Sequence, residues 1–90
     1  MLTIEDCVAL CGLTEEEVEA IAEHEHLPKM VAAEMAAYLV ETPSGERRIR
    51  RMIREDIEMA SARGDHAHAA KLKLVLKHFV DEHTQSMAAR

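Results

Sequence analysis

The chain has 90 residues, of which 48% are hydrophobic and 31% charged, a composition that supports one globular domain and argues against disorder. The net charge of −6 at pH 7 opposes binding to nucleic acid, and no apolar run approaches the roughly 20 residues of a membrane span. Only three Gly and two Pro occur, which favours helix over sheet. We expect a single all-α domain over residues 1–90, with residues 84–90 as a frayed tail.

Two helices are predicted in the first part of the chain. Apolar residues spaced three and four apart predict the first helix over Thr3–Cys11. The second begins with a capping box formed by Thr14 and Glu17, in which each residue hydrogen-bonds the backbone of the other. This helix must end before Pro28, because the residue preceding a proline is pushed out of the helical conformation.

The third predicted helix runs from Pro28 to about Glu41 and is apolar on nearly every side. Such a helix needs to be covered on most sides, so we expect it to form the hydrophobic centre of the domain. Any flank that the chain leaves exposed would favour pairing with a second copy. The residues that could lie on such a flank are Met30, Val31, Met35 and Leu39. Residues 42–45 (Thr-Pro-Ser-Gly) are predicted to form a turn, with Thr42 or Ser44 capping the helix that follows.

The last two predicted helices form an antiparallel αα-hairpin. The fourth spans about Glu46–Arg63, Gly64 stops it, and Asp65 caps the fifth, which runs to about His83. The predicted fold is therefore all-α, a compact five-helix orthogonal or bundle-like domain with this hairpin at its C-terminal end.

Charge is divided unevenly along the chain. Residues 1–46 carry a net charge of −10 and residues 47–90 a net charge of +4. Glutamates four residues away provide local partners for Arg50, Arg51 and Arg54, whereas Arg47 and Arg48 have none. No aromatic residue is interleaved with these arginines for base stacking, so we predict no nucleic-acid binding and favour an acidic protein surface, such as the second helix, as their partner.

Two histidine clusters stand among acidic residues at predicted helix ends. Glu23-x-x-His26 and Asp65-x-x-His68 have the carboxylate–histidine spacing of helical di-metal sites, in which both ligands share one helix face. Imidazole and carboxylate together suit iron, manganese or zinc. The predicted ligands of such a metal site are Glu23, His24, His26, Asp65, His66 and His68.

A structural interpretation of the same clusters is favoured over the metal site. Polar residues collect at helix ends as caps and solvated side chains, and Asp65 is already assigned as a helix cap. A pH-sensing role for the histidines is a third alternative. His78 and His83 are predicted to be structural residues at the edge of the core.

No catalytic residue is predicted, because the chain has no Gly-rich phosphate loop, nucleophile elbow or HExxH motif. The N-terminus lacks the basic and apolar regions of a signal peptide, and Cys7 and Cys11 are predicted to be reduced, so we expect a cytoplasmic protein without membrane contact. The function predicted from the sequence is that of a self-associating interaction module, a homodimer able to bind a protein partner and without enzymatic activity. The alternative is a protein that binds a divalent transition metal.

Overall fold

The computed structural model describes residues 13–83, and within this range the chain forms four α-helices and no strand. They are α1 (Glu15–Glu25), α2 (Lys29–Leu39), α3 (Pro43–Ala62) and α4 (His66–Glu82). The all-α prediction is confirmed for this range, which contains four of the five predicted helices. The helix predicted over Thr3–Cys11, with both cysteines, and the tail over residues 84–90 lie outside the described residues. Among the described residues no helix has the length and apolar character of a membrane span.

Helix α1 begins with the capping box that the sequence predicts. The hydroxyl of Thr14 accepts a hydrogen bond from the Glu17 N–H at 3.2 Å, and the Glu17 carboxylate accepts one from the Thr14 N–H at 2.9 Å. The helix ends at His26, whose φ of 57° is left-handed, two residues before Pro28. Both ends of α1 are therefore set by local sequence.

Residues 42–45 do not form the predicted turn. Helix α3 already starts at Pro43, with Thr42 as the N-cap whose hydroxyl accepts a hydrogen bond from the Gly45 N–H at 3.0 Å. Proline is well suited to the first helical position, where its missing N–H would have no partner in any case. The predicted cap at Thr42 is therefore confirmed. The prediction of a turn was wrong because Pro43 and Gly45 were taken as turn residues.

The core is shared by α1, α3 and α4, and the prediction that the third helix is the centre was wrong. Helices α1 and α3 each pack against all three other helices, whereas α2 packs chiefly on α1 and α3. The buried residues of α2 are mostly alanines, which give a close approach but little buried volume. The core side chains of α1, α3 and α4 that are buried and larger than alanine are Val18, Ile21, Ile49, Met52, Ile53, Leu72, Val75 and Phe79.

Helices α3 and α4 form the hairpin expected from the sequence and make the most extensive contact between any two helices. Gly64 has a φ of 80°, a left-handed conformation that glycine adopts without strain, and it follows the C-cap residue Arg63. The Asp65 side chain then caps α4 by accepting a hydrogen bond from the His68 N–H at 3.2 Å. This short connection brings the C-terminal part of α3 beside the N-terminal part of α4.

Candidate functional site

A cluster of histidines and carboxylates forms where the end of α1 meets α3 and the start of α4. His24 on α1 bonds Glu55 on α3 at 2.7 Å, and His68 on α4 lies 3.1 Å from Glu23 on α1. The buried carboxyl of Asp56, next to Glu55, interacts electrostatically with both histidines. These five residues, called the His–carboxylate cluster below, tie three helices together through polar side chains.

His24 is held by a carboxylate at each ring nitrogen. Nδ1 lies 2.7 Å from Glu25 and Nε2 lies 2.7 Å from Glu55. Since a carboxylate oxygen only accepts, both contacts are hydrogen bonds only when both nitrogens carry a proton. Burial alone would lower the pKa of His24, but the hydrogen bonds to Glu55 and Glu25 and the charge of Asp56 together raise it above its usual 6.5. The geometry is therefore that of an imidazolium.

Asp56 is the unsatisfied member of the cluster. Its side chain is buried, and its Oδ2 has no hydrogen-bond partner among the described residues. Burial raises the pKa of this carboxyl, with Glu23 and Glu55 adding to the effect and the two histidines opposing it. Asp56 and His24 line an open depression of about 290 Å³ together with His26 and Arg63. A buried oxygen without a partner carries a free-energy cost, so this position favours a proton or a cation.

The predicted metal-ligand residues are only partly brought together. Glu23 of the first cluster meets His68 of the second, although the chain separates them by 45 positions. His26 is the C-cap of α1, Asp65 is the N-cap of α4, and His66 is exposed. Within residues 13–83, no three His, Cys, Asp or Glu side chains are arranged so that they could hold a metal ion.

Two members of the cluster, Glu55 and Asp56, were missed in the sequence. Glu55 was assigned to Arg51 as a local ion pair, whereas it bonds His24. Asp56 gives a signal that could have been used, because it follows Met52 and Ile53 at helical spacing and so interrupts the buried stripe of α3. A carboxylate on a buried stripe is expensive and is more often a site residue than a packing residue.

A second candidate site is an apolar surface on α2. Val31, Met35 and Tyr38 recur at spacings of four and three residues, which places them on one helix face. Tyr38 is 75% exposed and Val31 is 42% exposed, while Met35 is half-buried. Leu39, which the sequence placed among the exposed candidates, is buried because it packs in the hydrophobic core. The three residues Val31, Met35 and Tyr38 are called the α2 surface below.

Charged residues lie beside the α2 surface and are not paired with one another. Glu41 and Arg48 line the same depression as Tyr38, and neither takes part in an ion pair with a described residue. The exposed arginines of α3 (Arg47, Arg48, Arg51 and Arg54) likewise form no ion pair within residues 13–83. The local pairs predicted for Arg51 and Arg54 are therefore not formed. Nor do these arginines pair with α1, whose acids bond Lys29 and the histidines instead.

The histidine at position 78 also has a role that the sequence did not reveal. It was predicted to be a residue at the core edge, yet its Nδ1 lies 2.9 Å from Glu17, a carboxylate on α1 that is fully buried. His83 matches its structural prediction more closely, since it stacks on Phe79 with the ring centroids 4.4 Å apart.

Comparison with known proteins gives no match, whether with family models, with curated protein sequences or with solved structures.

Proposed function

We propose that the protein is a small cytoplasmic interaction module that self-associates through the α2 surface and has no enzymatic activity of its own. The observation that carries the proposal is the exposure of Tyr38, a large side chain of which three quarters is in contact with solvent. Tyrosine is enriched at protein interfaces, where its ring is buried and its hydroxyl stays hydrogen-bonded. Burying one large apolar side chain contributes roughly 1.5–3 kcal/mol.

A second copy of this chain is the occupant that the charges favour. Glu41 and Arg48 both lie beside Tyr38, and neither forms an ion pair with another residue in the range 13–83. In a two-fold dimer each contact occurs twice, so Arg48 of one copy can face Glu41 of the other while Glu41 of the first faces Arg48 of the second. The surface is therefore complementary to itself in both apolar character and charge.

The size of the interface indicates that α3 takes part as well. A stable interface buries about 800 Å² on each partner. Helix α2 has 11 residues, which makes it about 16 Å long at 1.5 Å per residue, and its outer face alone is too small. The first half of α3 follows directly and carries Arg47, Arg48 and Arg51, which form no ion pair with a described residue. We propose that the contact extends from the α2 surface onto this part of α3.

The experiment that tests the proposal is sedimentation equilibrium of three proteins. Wild type is expected to be a dimer, and Tyr38→Glu is expected to be a monomer with unchanged helix content, because an exposed side chain is not needed for folding. The matched control is Leu74→Glu, which adds the same charge at a position on α4 that is 70% exposed. This control should remain a dimer. Equal masses for wild type and Tyr38→Glu would overturn the proposal.

Metal binding is a second candidate function, and one specific observation favours it. The contact between Glu23 and His68 joins the two clusters, and the unpartnered Oδ2 of Asp56 lies in the same region beside His24. We propose these four residues, and not His26, Asp65 and His66, as the ligands of a zinc, iron or manganese ion. The side chains would have to leave their present hydrogen bonds to reach a common ion.

The test of this second function is the melting temperature of chelator-treated protein with and without added zinc. A metal that binds only the folded state stabilises it by about 2.7 kcal/mol at a hundredfold excess over its dissociation constant. The stabilisation should be lost in His68→Ala and kept in His66→Ala, a matched control at an exposed position of the same helix. No change in the wild-type melting temperature with zinc, iron or manganese would rule the function out.

A further inference from the structure

Glu17 is a charged residue in the core, and its carboxylate connects two parts of the fold. The side chain is fully buried, and its Oε1 accepts a hydrogen bond from the Thr14 N–H at 2.9 Å, which caps α1. Its Oε2 lies 2.9 Å from Nδ1 of His78 on α4. The start of α1 is therefore attached to α4 through one buried carboxylate.

His78 connects this buried group to solvent. Its side chain is half exposed, at the edge of a groove whose apolar wall is formed by Leu74 and Val75. The imidazole can therefore exchange protons with solvent, while the carboxylate that it contacts cannot be reached.

The other charged groups around His78 come from α1 and from its own helix. Glu16 and Lys71 line the same groove, and Asp81 and Glu82 act on His78 through their charges. The described residues that line the groove belong to α4 and the start of α1, with none from α2 or α3. Among the described residues, Glu17 forms its only ion pair with His78.

We propose that the His78–Glu17 contact is a proton-operated clasp that holds the start of α1 against α4. When His78 is protonated, the buried carboxylate is hydrogen-bonded to a cation. When His78 loses its proton, the carboxylate stays buried without a counter-charge in contact, a situation that destabilises the folded state. Docking of the α1 N-terminus then depends on proton concentration.

The direction of the pH dependence follows from the same contact. The hydrogen bond to Glu17 raises the pKa of His78 above its usual 6.5, against a smaller opposing effect of burial, and the charges of Glu17, Glu82 and Asp81 raise it further. A raised pKa in the folded state means that the stabilisation is complete below about 6.5 and is lost as pH rises through the raised value. The clasp is closed in mild acid and loosens on the alkaline side.

The experiment follows the His78 ring and the Thr14 amide by NMR from about pH 5.5 to about pH 8.5. In wild type the His78 ring should titrate above 6.5, and the Thr14 amide signal should move with the same midpoint, because that amide donates to the carboxylate that His78 contacts. In Glu17→Gln, which keeps an oxygen acceptor but removes the charge, the His78 midpoint should fall. In His78→Gln the Thr14 amide should lose its titration, whereas His66→Gln, an exposed control, should behave as wild type.

Two results would overturn the clasp. One is a titration midpoint of the His78 ring in wild type at or below the ordinary histidine pKa of 6.5. This result does not depend on whether any variant folds. The other is a Thr14 amide whose titration is the same in His78→Gln as in wild type.

Discussion

Gly45 on α3 lies against the backbone of Leu39 at the end of α2, so closely that a Cβ atom at position 45 would lie 1.9 Å from the Leu39 carbonyl oxygen. That distance is far inside van der Waals contact, so only glycine fits without movement of the backbone. The contact fixes the close approach of α2 and α3 and thereby the placement of the α2 surface beside the arginines of α3.

Gly45→Ala is therefore expected to destabilise the protein. The added methyl group must displace backbone, and overpacking of this kind costs typically about 1–3 kcal/mol, although alanine is the better helix former. Urea unfolding measures the loss, with Ser61→Ala, at an exposed position in the same helix, as the control that should change little. An unfolding free energy for Gly45→Ala equal to that of wild type would show that the helices are not in close contact here.

Asp56→Asn is expected to stabilise the metal-free protein at neutral pH. Burial raises the pKa of Asp56 above its ordinary value of 3.8. The carboxyl therefore contributes most to stability at a pH below 3.8, and this contribution decreases as pH rises through the raised pKa. Asparagine removes the buried charge and offers an N–H donor to the neighbouring carboxylates. The substitution should raise the free energy of unfolding by on the order of 1 kcal/mol.

The gain for Asp56→Asn should shrink as pH falls through the raised pKa toward the ordinary value of 3.8, because the wild-type carboxyl then takes up a proton. Chemical unfolding at two pH values in the presence of a chelator measures this difference. Glu58→Gln, an exposed charge removal on the same helix, should stay within about 0.5 kcal/mol of wild type. A loss of stability in Asp56→Asn at neutral pH would contradict the account of a costly buried charge.

Added salt is expected to weaken the dimer. The charges beside the α2 surface are exposed, and the screening length falls from about 10 Å at 0.1 M to about 3 Å at 1 M salt. The dissociation constant should therefore rise between these two conditions, which fluorescence anisotropy of a labelled protein can follow. A dissociation constant that falls with salt would indicate a purely apolar contact.

Arg48→Glu should weaken the dimer by up to about thirtyfold, because the proposed arrangement contains two Arg48–Glu41 pairs and each exposed ion pair contributes at most roughly 1 kcal/mol. The reversed charge would face Glu41 of the second copy in the proposed arrangement. Lys73→Glu makes the same change of charge at an exposed position of α4, away from α2, and should leave the dissociation constant unchanged. Equal effects of the two variants would mean that net charge matters and the position of Arg48 does not.

Local sequence signals predicted the helices well. The capping box of Thr14 and Glu17 and the Gly64–Asp65 connection were both found, because caps and turns depend on residues a few positions apart. The start of α3 was predicted at Glu46 instead of Pro43, because Gly45 is explained only by its contact with Leu39, which belongs to another helix. Sequence spacing carries no information on such a contact.

The His–carboxylate cluster was predictable only in part for the same reason. The composition of the two clusters singled out Glu23, His24 and His68, but their partners come from other helices. Glu55 sits 31 positions from His24. Whether Glu55 pairs with His24 or with Arg51 depends on how α1 packs on α3. The exposure of Tyr38 likewise follows from tertiary packing, since every residue of an apolar helix is an equal candidate for burial.

Light scattering of the untagged wild-type protein at tens of micromolar measures whether this chain pairs with itself, as proposed. We expect a mass of twice the 10.1 kDa of one chain, falling toward the mass of one chain on dilution or in Tyr38→Glu. A mass of 10.1 kDa at every concentration would contradict it.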